Sequence, residues 1–357
     1  MKKMATRTKW LALALAGVLA LAAGCGNSAA PAGEESKSKE LNVFNWSNYL
    51  PESVIKQFEK ESGIKVNYST YSSNEEMLAK LTASNGVYDV AVATSYMVDI
   101  MSKQQLLDPI DLNKVPNFSN IGPDYVKKAF DPKNEFSIPY LAGNIVLAVN
   151  TDKVKTPVTS YADLWKPEFK NSVVVVDDMR GLIGMTNQMQ GKSMNETDDA
   201  VLQKSKSMLV DLLPNIKAFD SDSPKTLLIN GEATVGLVYG AEAALAQKEL
   251  PAIKAVYPKE GVILWMDNFV IPKGAKNKEN AEAFMNFLLR PEISAEISKE
   301  IPYTNPNIKA QELLDDSIKK DPIIYPTKED LQRGEYAGDV GDKISQLDRI
   351  WNELKSH

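Results

Sequence analysis

Short apolar runs of strand length alternate with amphipathic helical segments from about residue 41 to the end of the chain, and no other feature narrows the fold as far. Leu41–Asn45 reads as a strand, and Glu52–Glu61 follows with Val54, Ile55 and Phe58 on one helical face and Gly63 as a stop. Lys65–Tyr68 is a second strand, after which Asn74-Glu75-Glu76 opens a helix carrying Met77, Leu78 and Leu81. Tyr88–Ala93 (YDVAVA) has the unbroken apolar character of a buried parallel strand. Further strands are predicted at 145–150, 172–176, 234–239 and 268–271, and further helices at 197–213, 241–249, 277–289 and 339–354. Such alternation builds open α/β sheets covered by helices. With 357 residues, 43% of them apolar, there is material for two domains or one large α/β unit.

Composition then removes whole classes of function. The chain has 47 acidic and 41 basic residues, a net charge of −6, which argues against general nucleic-acid binding. It contains one histidine, His357, and one cysteine, Cys25. Cys/His zinc sites, disulfides, Ser-His-Asp triads and Cys-His dyads are therefore excluded. No apolar stretch beyond residue 40 approaches the ~20 residues of a spanning helix.

The N-terminus reads as an address. Lys2, Lys3, Arg7 and Lys9 precede an apolar run from Trp10 to Ala23, too short to span and of the right length for a secretory signal. Cys25 follows it directly, in Leu21-Ala22-Ala23-Gly24-Cys25, which resembles a bacterial lipobox with Ala22 where leucine is usual. Residues 1–24 are expected to be removed and Cys25 lipidated, with 25–40 as a flexible tether. Loss of the four leader cations leaves 37 basic against 47 acidic side chains, net −10, a body that attracts cations outside the cytoplasm.

In open α/β sheets, ligands bind beyond the C-terminal ends of the strands. Those positions hold Trp46-Ser47-Asn48-Tyr49, Thr94-Ser95-Tyr96, Asp177-Asp178 and Tyr239. Residues alternate faces along a strand, so Asp178 shares the side of Val174 and Val176 while Asp177 lies opposite. In Trp265-Met266-Asp267 the same rule puts an indole and a carboxylate side by side, the pair an organic ammonium needs. Two decoys fail. Gly191-Lys192-Ser193 ends like a phosphate loop, but Thr186 stands where its first glycine belongs. Asp220-Ser221-Asp222 starts like a calcium loop, but Pro224 follows and the later glycine and glutamate are missing.

Many collinear segments carry a resemblance to the polyamine (spermidine/putrescine) binding proteins of bacterial ABC importers, which have the type II periplasmic-binding-protein fold. They include FNWSNYLP (44–51), YDVAVATSYMV (88–98), FSIPYLAGN (136–144), SYADLWKPEFKNSVVVVDDMR (160–180), LPNIKAFDSDSP (213–224), YPKEGVILWMDNFVIPKGAKN (257–277), NFLLRPE (286–292), PYTNPN (302–307) and GEYAGDVG (334–341). The resemblance implies two α/β lobes with hinge crossovers and a ligand cleft between them. By analogy lobe 1 holds 41–141 plus 268–312, and lobe 2 holds 142–267 plus 313–357. It also implies ligand contacts from Trp46, Ser47, Tyr49, Thr94, Tyr96, Asp178, Ser221, Tyr239, Trp265, Asp267 and Tyr303. This chain departs from the family pattern at Asn48 and Gly181, where glutamate is common, at Tyr239, where tryptophan is common, and at Ala337, where glutamine is common. Glu242 is the one added acid, and we expect it to replace a lost partner of the ligand, in a pocket that favours putrescine over spermidine.

The expectation is thus a monomeric, extracytoplasmic polyamine receptor that delivers putrescine or spermidine to permease subunits in the membrane. It would be held by its lipid on the outer face of the cytoplasmic membrane, or lie in the periplasm. No catalytic residue, metal, cofactor or nucleic-acid partner is expected. Two alternatives keep the sequence but change the outcome: a receptor for another organic cation, or a secreted hydrolase using two of its carboxylates.

Overall fold

The computed structural model describes residues 38–356; the expected leader, Cys25, the tether up to residue 37 and His357 lie outside the described residues. The strands in chain order are β1 (Glu40–Trp46), β2 (Lys65–Tyr71), β3 (Val90–Thr94), β4 (Leu107–Asp108), β5 (Ser137–Asn150) and β6 (Val173–Val175). They continue with β7 (Ile216–Phe219), β8 (Val235–Tyr239), β9 (Ile253–Val256), β10 (Val262–Pro272) and β11 (Gly334–Tyr336). All join one sheet in the order β2-β1-β3-β10-β5-β8-β6-β7, with β4 and β11 added to β10 and β9 to β5.

Two parallel groups flank an antiparallel centre. β1 pairs in parallel with β2 and β3, and β6 with β7 and β8. Between them β5 and β10 run antiparallel from Ile263↔Ile145 to Val270↔Ser137. Both central strands are far longer than predicted. β5 is buried almost without a break over 14 residues, so no alternation marks it, and Pro139 and Gly143 read as breakers. The register shifts between Asp267 and Asn268, leaving Tyr140 as the extra residue beside Pro139. A bulge of this kind tolerates a proline and re-aims the neighbouring side chains.

The helices follow the same logic. α1 (Glu52–Ser62) buries Val54 and Phe58 and ends at Gly63, whose φ of 69° suits glycine. α2 (Asn74–Ala83) is capped by Ser73, not by Asn74 as predicted: the Ser73 hydroxyl accepts from the Glu76 N–H. α3 (Ser95–Lys103) starts directly at the end of β3. α4 (Met179–Met189) escaped the periodicity reading because almost every residue in it is buried, leaving no polar stripe. The helix Pro291–Glu300 was likewise not predicted. The C-terminal helix begins at Ile344, later than predicted, because a short 3₁₀ turn at Gly341–Lys343 precedes it.

The buried side chains separate on either side of the central strands. Leu41, Phe44, Val92, Met101, Phe269 and Phe284 belong to cores around β1 and β3. Leu147, Val175, Leu182, Leu237, Val238 and Ile350 belong to cores around β6 and β8. Trp265 touches a core on each side. No described helix is long and apolar enough to cross a membrane.

Candidate functional site

The C-terminal ends of both parallel groups converge on one cavity of about 490 Å³. Trp46, Ser47 and Tyr49 enter it after β1, Thr94 and Tyr96 after β3, Asp178 after β6, Ser221 after β7 and Tyr239 after β8. Trp265 and Asp267 come from β10 itself, and Tyr303 from the loop after the helix Pro291–Glu300. The strand-end rule explains the convergence, and the two-residue repeat explains why Trp265 and Asp267 share a face.

Rings form the frame. Trp265 stands at its centre, edge-on to Tyr303 (centroids 4.8 Å apart) and to Tyr239 (5.9 Å). Tyr303 in turn faces Tyr49 at 5.8 Å. Trp265 is paired across the sheet with Gly143, and a Cβ there would overlap the indole, so a glycine is what lets the ring lie back.

Carboxylates are set into this frame. Asp267 is buried and accepts the Thr94 hydroxyl at 2.6 Å; Thr94 in turn accepts from the Asn74 amide at 3.0 Å. Burial, with a smaller contribution from the Asp178 charge, pushes the Asp267 carboxyl up to about 6. Asp178 caps α4, its Oδ1 accepting from the N–H groups of Arg180 and Gly181. Its Oδ2 meets only the Tyr239 hydroxyl, at 3.4 Å, and burial raises its pKa.

Three lining residues carry charge that the sequence reading passed over. Glu75 accepts the Tyr96 hydroxyl at 3.0 Å, and burial raises its pKa, assisted by the charges of Asp178 and Asp348. It opens a helix and also follows the C-terminal end of β2, where the strand-end rule applies equally. Asp348, on the C-terminal helix, is also raised by burial. Arg180 lays its guanidinium over the Tyr96 ring at 5.0 Å and donates to the Gly338 carbonyl and to Asn195 Oδ1.

Glu242 is a correction. It does not line the cavity: it sits in the first turn of the helix Gly240–Glu249 and pairs with Lys225 at 3.6 Å. The helix N-terminus and the lysine favour a carboxylate there, although its Oε2 is buried without a hydrogen-bond partner. Asn48, where the family favours glutamate, is exposed at φ 52°, a left-handed turn position that asparagine tolerates well.

Buried and half-buried carboxylates with raised pKa values stand among aromatic faces, a setting that favours a cationic group. Comparison with known proteins gives the family. The model of the bacterial extracellular solute-binding protein family matches residues 53–327. A spermidine/putrescine-binding periplasmic protein of Salmonella typhimurium is 42% identical over 347 residues, 96% of this chain and 97% of the relative. A solved spermidine/putrescine ABC transporter protein of Listeria monocytogenes superposes with a TM-score of 0.87 at 35% identity, covering 89% of this chain and 99% of that one. A lipoprotein of Treponema pallidum superposes with a TM-score of 0.78 at 30% identity, covering 89% of this chain and 100% of that one. The chain has the two-lobed α/β architecture of type II periplasmic binding proteins and belongs to the bacterial extracellular solute-binding family.

Proposed function

We propose that this chain is an extracytoplasmic receptor for short linear polyamines, which it passes to an ABC importer without carrying out chemistry on them. The observation that carries this reading is the pairing of Asp267 and Asp178 with the Trp265–Tyr303–Tyr239 ring frame in one cavity. A protonated amine brings the countercharge these buried acids lack, and its methylenes pack against the rings. The names of the Salmonella and Listeria relatives support the same ligand class.

The cavity suits a polycation. Six carboxylates, those of Glu75, Asp177, Asp178, Asp222, Asp267 and Asp348, line it with the single guanidinium of Arg180. Putrescine is the first guest to test, and Glu75 is among the acids that would meet it. Micromolar affinity needs about −8 kcal/mol. Two charge-assisted hydrogen-bonded pairs at about 1.5–3 kcal/mol each and cation–π contacts at about 0.5–2 kcal/mol each reach that gross figure before immobilisation costs.

Lobe 1 is assigned to 41–141 plus 268–312 and lobe 2 to 142–267 plus 313–357. Support comes from the separation of the cores on the two sides of β5 and β10, and from the bulge at Asp267/Asn268, beside the proposed crossing. Cys25 is assigned as a lipidated anchor, in line with the lipoprotein from Treponema. Calorimetric titration with putrescine, spermidine, spermine and arginine tests the ligand class. Saturable binding of putrescine is the expected result; tight arginine binding with silent polyamines would move the assignment to another organic cation.

A further inference from the structure

Beside the main cavity the protein already holds an ammonium in an aromatic cage, and the ammonium is its own. Lys355 Nζ lies 4.4 Å from the centroid of Phe219 and 5.5 Å from that of Trp351, and donates to Asp177 Oδ1 at 2.8 Å. The two rings stand at 84° with centroids 5.8 Å apart, so the cation faces two walls and a carboxylate at once. Trp351 and Lys355 reach the same face because they are four residues apart on the C-terminal helix. Asp177 also lies next to Asp178 in the chain, and both Asp177 and Trp351 line the main cavity. The cage therefore borders the main cavity through Asp177 and Trp351.

We infer that Asp177, Phe219 and Trp351 form an outer ammonium subsite, closed by Lys355 acting as a tethered stand-in for the guest. This rests on the polyamine reading above and extends it to guests with a third ammonium. A tethered competitor acts at millimolar effective concentration, so a free amine at micromolar concentration does not displace it. An amine already held at Asp178 competes on equal terms, because its outer end is tethered as well. The outer subsite thus discriminates by length: a diamine ends before it, whereas a triamine must evict Lys355. Lys355 accordingly holds down the preference for spermidine.

The test is calorimetric titration of the wild-type protein, Lys355→Ala, and Lys355→Ala combined with Phe219→Leu, each with putrescine and with spermidine. Lys355→Ala is expected to raise the spermidine-to-putrescine affinity ratio roughly tenfold, a change of about 1.4 kcal/mol. Adding Phe219→Leu, which keeps the apolar volume but removes the ring face, is expected to take back most of that gain. An unchanged ratio in Lys355→Ala, or a gain that survives Phe219→Leu, would overturn the subsite while leaving the receptor function intact. A lower melting temperature in Lys355→Ala with no change of ratio would make Lys355 a helix-end ion pair and nothing more. If no protein in the series binds either amine saturably, the subsite and the receptor reading fall together.

Discussion

Asp267 shows how one side chain combines instability with recognition. Its carboxyl is buried on β10, hydrogen-bonded to Thr94 and pushed up to about 6 from 3.8, chiefly by burial. A carboxyl with a raised folded pKa stabilises the fold fully below its unfolded value and loses that contribution as pH rises through the folded one. The unliganded protein should therefore lose stability between about pH 4 and pH 6 on account of this residue. An ammonium guest favours the ionised form, so amine affinity should run the other way: level above pH 7 and weaker as pH falls through about 6, with proton uptake opposing binding. Isothermal titration across that range in buffers of different ionisation enthalpy would show the released proton. Asp267→Asn removes both trends. It should weaken putrescine binding by at least about tenfold, equivalent to about 1.4 kcal/mol, while leaving the empty protein at pH 8 no less stable in thermal melts. An unchanged affinity would place the ammonium elsewhere.

At the level of elements the deciding pair is β5 and β10. Trp265 lies back over Gly143, and Gly143→Ala would drive the indole forward into the cavity. That substitution should reduce putrescine affinity at least tenfold and shift the tryptophan emission, while Gly191→Ala, at a left-handed turn with open space around it, should affect stability alone. Much of this site was legible in the sequence. Strand ends and the spacing of Trp265 and Asp267 depend on local patterns that survive in one dimension. What escaped was set by burial on all sides. β5 and α4 carry no alternation because both faces are covered, and Glu75 looked like part of a helix start because β2 runs on to Tyr71, beyond the predicted end at Tyr68, and so brings the strand end close to it. Glu242 erred in the opposite direction. Three residues past Tyr239, it lies in the following helix and meets Lys225.

On the scale of the whole molecule, the question is what holds the two lobes against each other. Contacts reach between the assigned lobes at several places, Trp265 on Tyr303 and Thr304 on the Ile324 carbonyl among them. Lys103 on α3 pairs with Asp339 at 2.8 Å, and Arg180 lies over Tyr96 at 5.0 Å. An exposed pair such as the first contributes about 0–1 kcal/mol, too little to fix one relative position of the lobes. A guest can shift such an equilibrium only by the difference in its affinity for the two states. Here the guest meets both lobes, because Trp46, Thr94 and Tyr303 line the cavity from lobe 1 while Asp178, Tyr239 and Asp267 line it from lobe 2. An amine held by only one lobe would leave the other free and the overall dimensions unchanged. Small-angle X-ray scattering of the protein with saturating putrescine should therefore show a smaller radius of gyration than without it. Putrescine at a hundred times its dissociation constant should also add about 2.7 kcal/mol to stability in thermal melts. Asp267→Asn, measured at a putrescine concentration that saturates the wild type, should show neither effect in full. Compaction that appeared in full without the amine would mean that the lobes close on their own, and that the buried acids, not the guest, set the closed state.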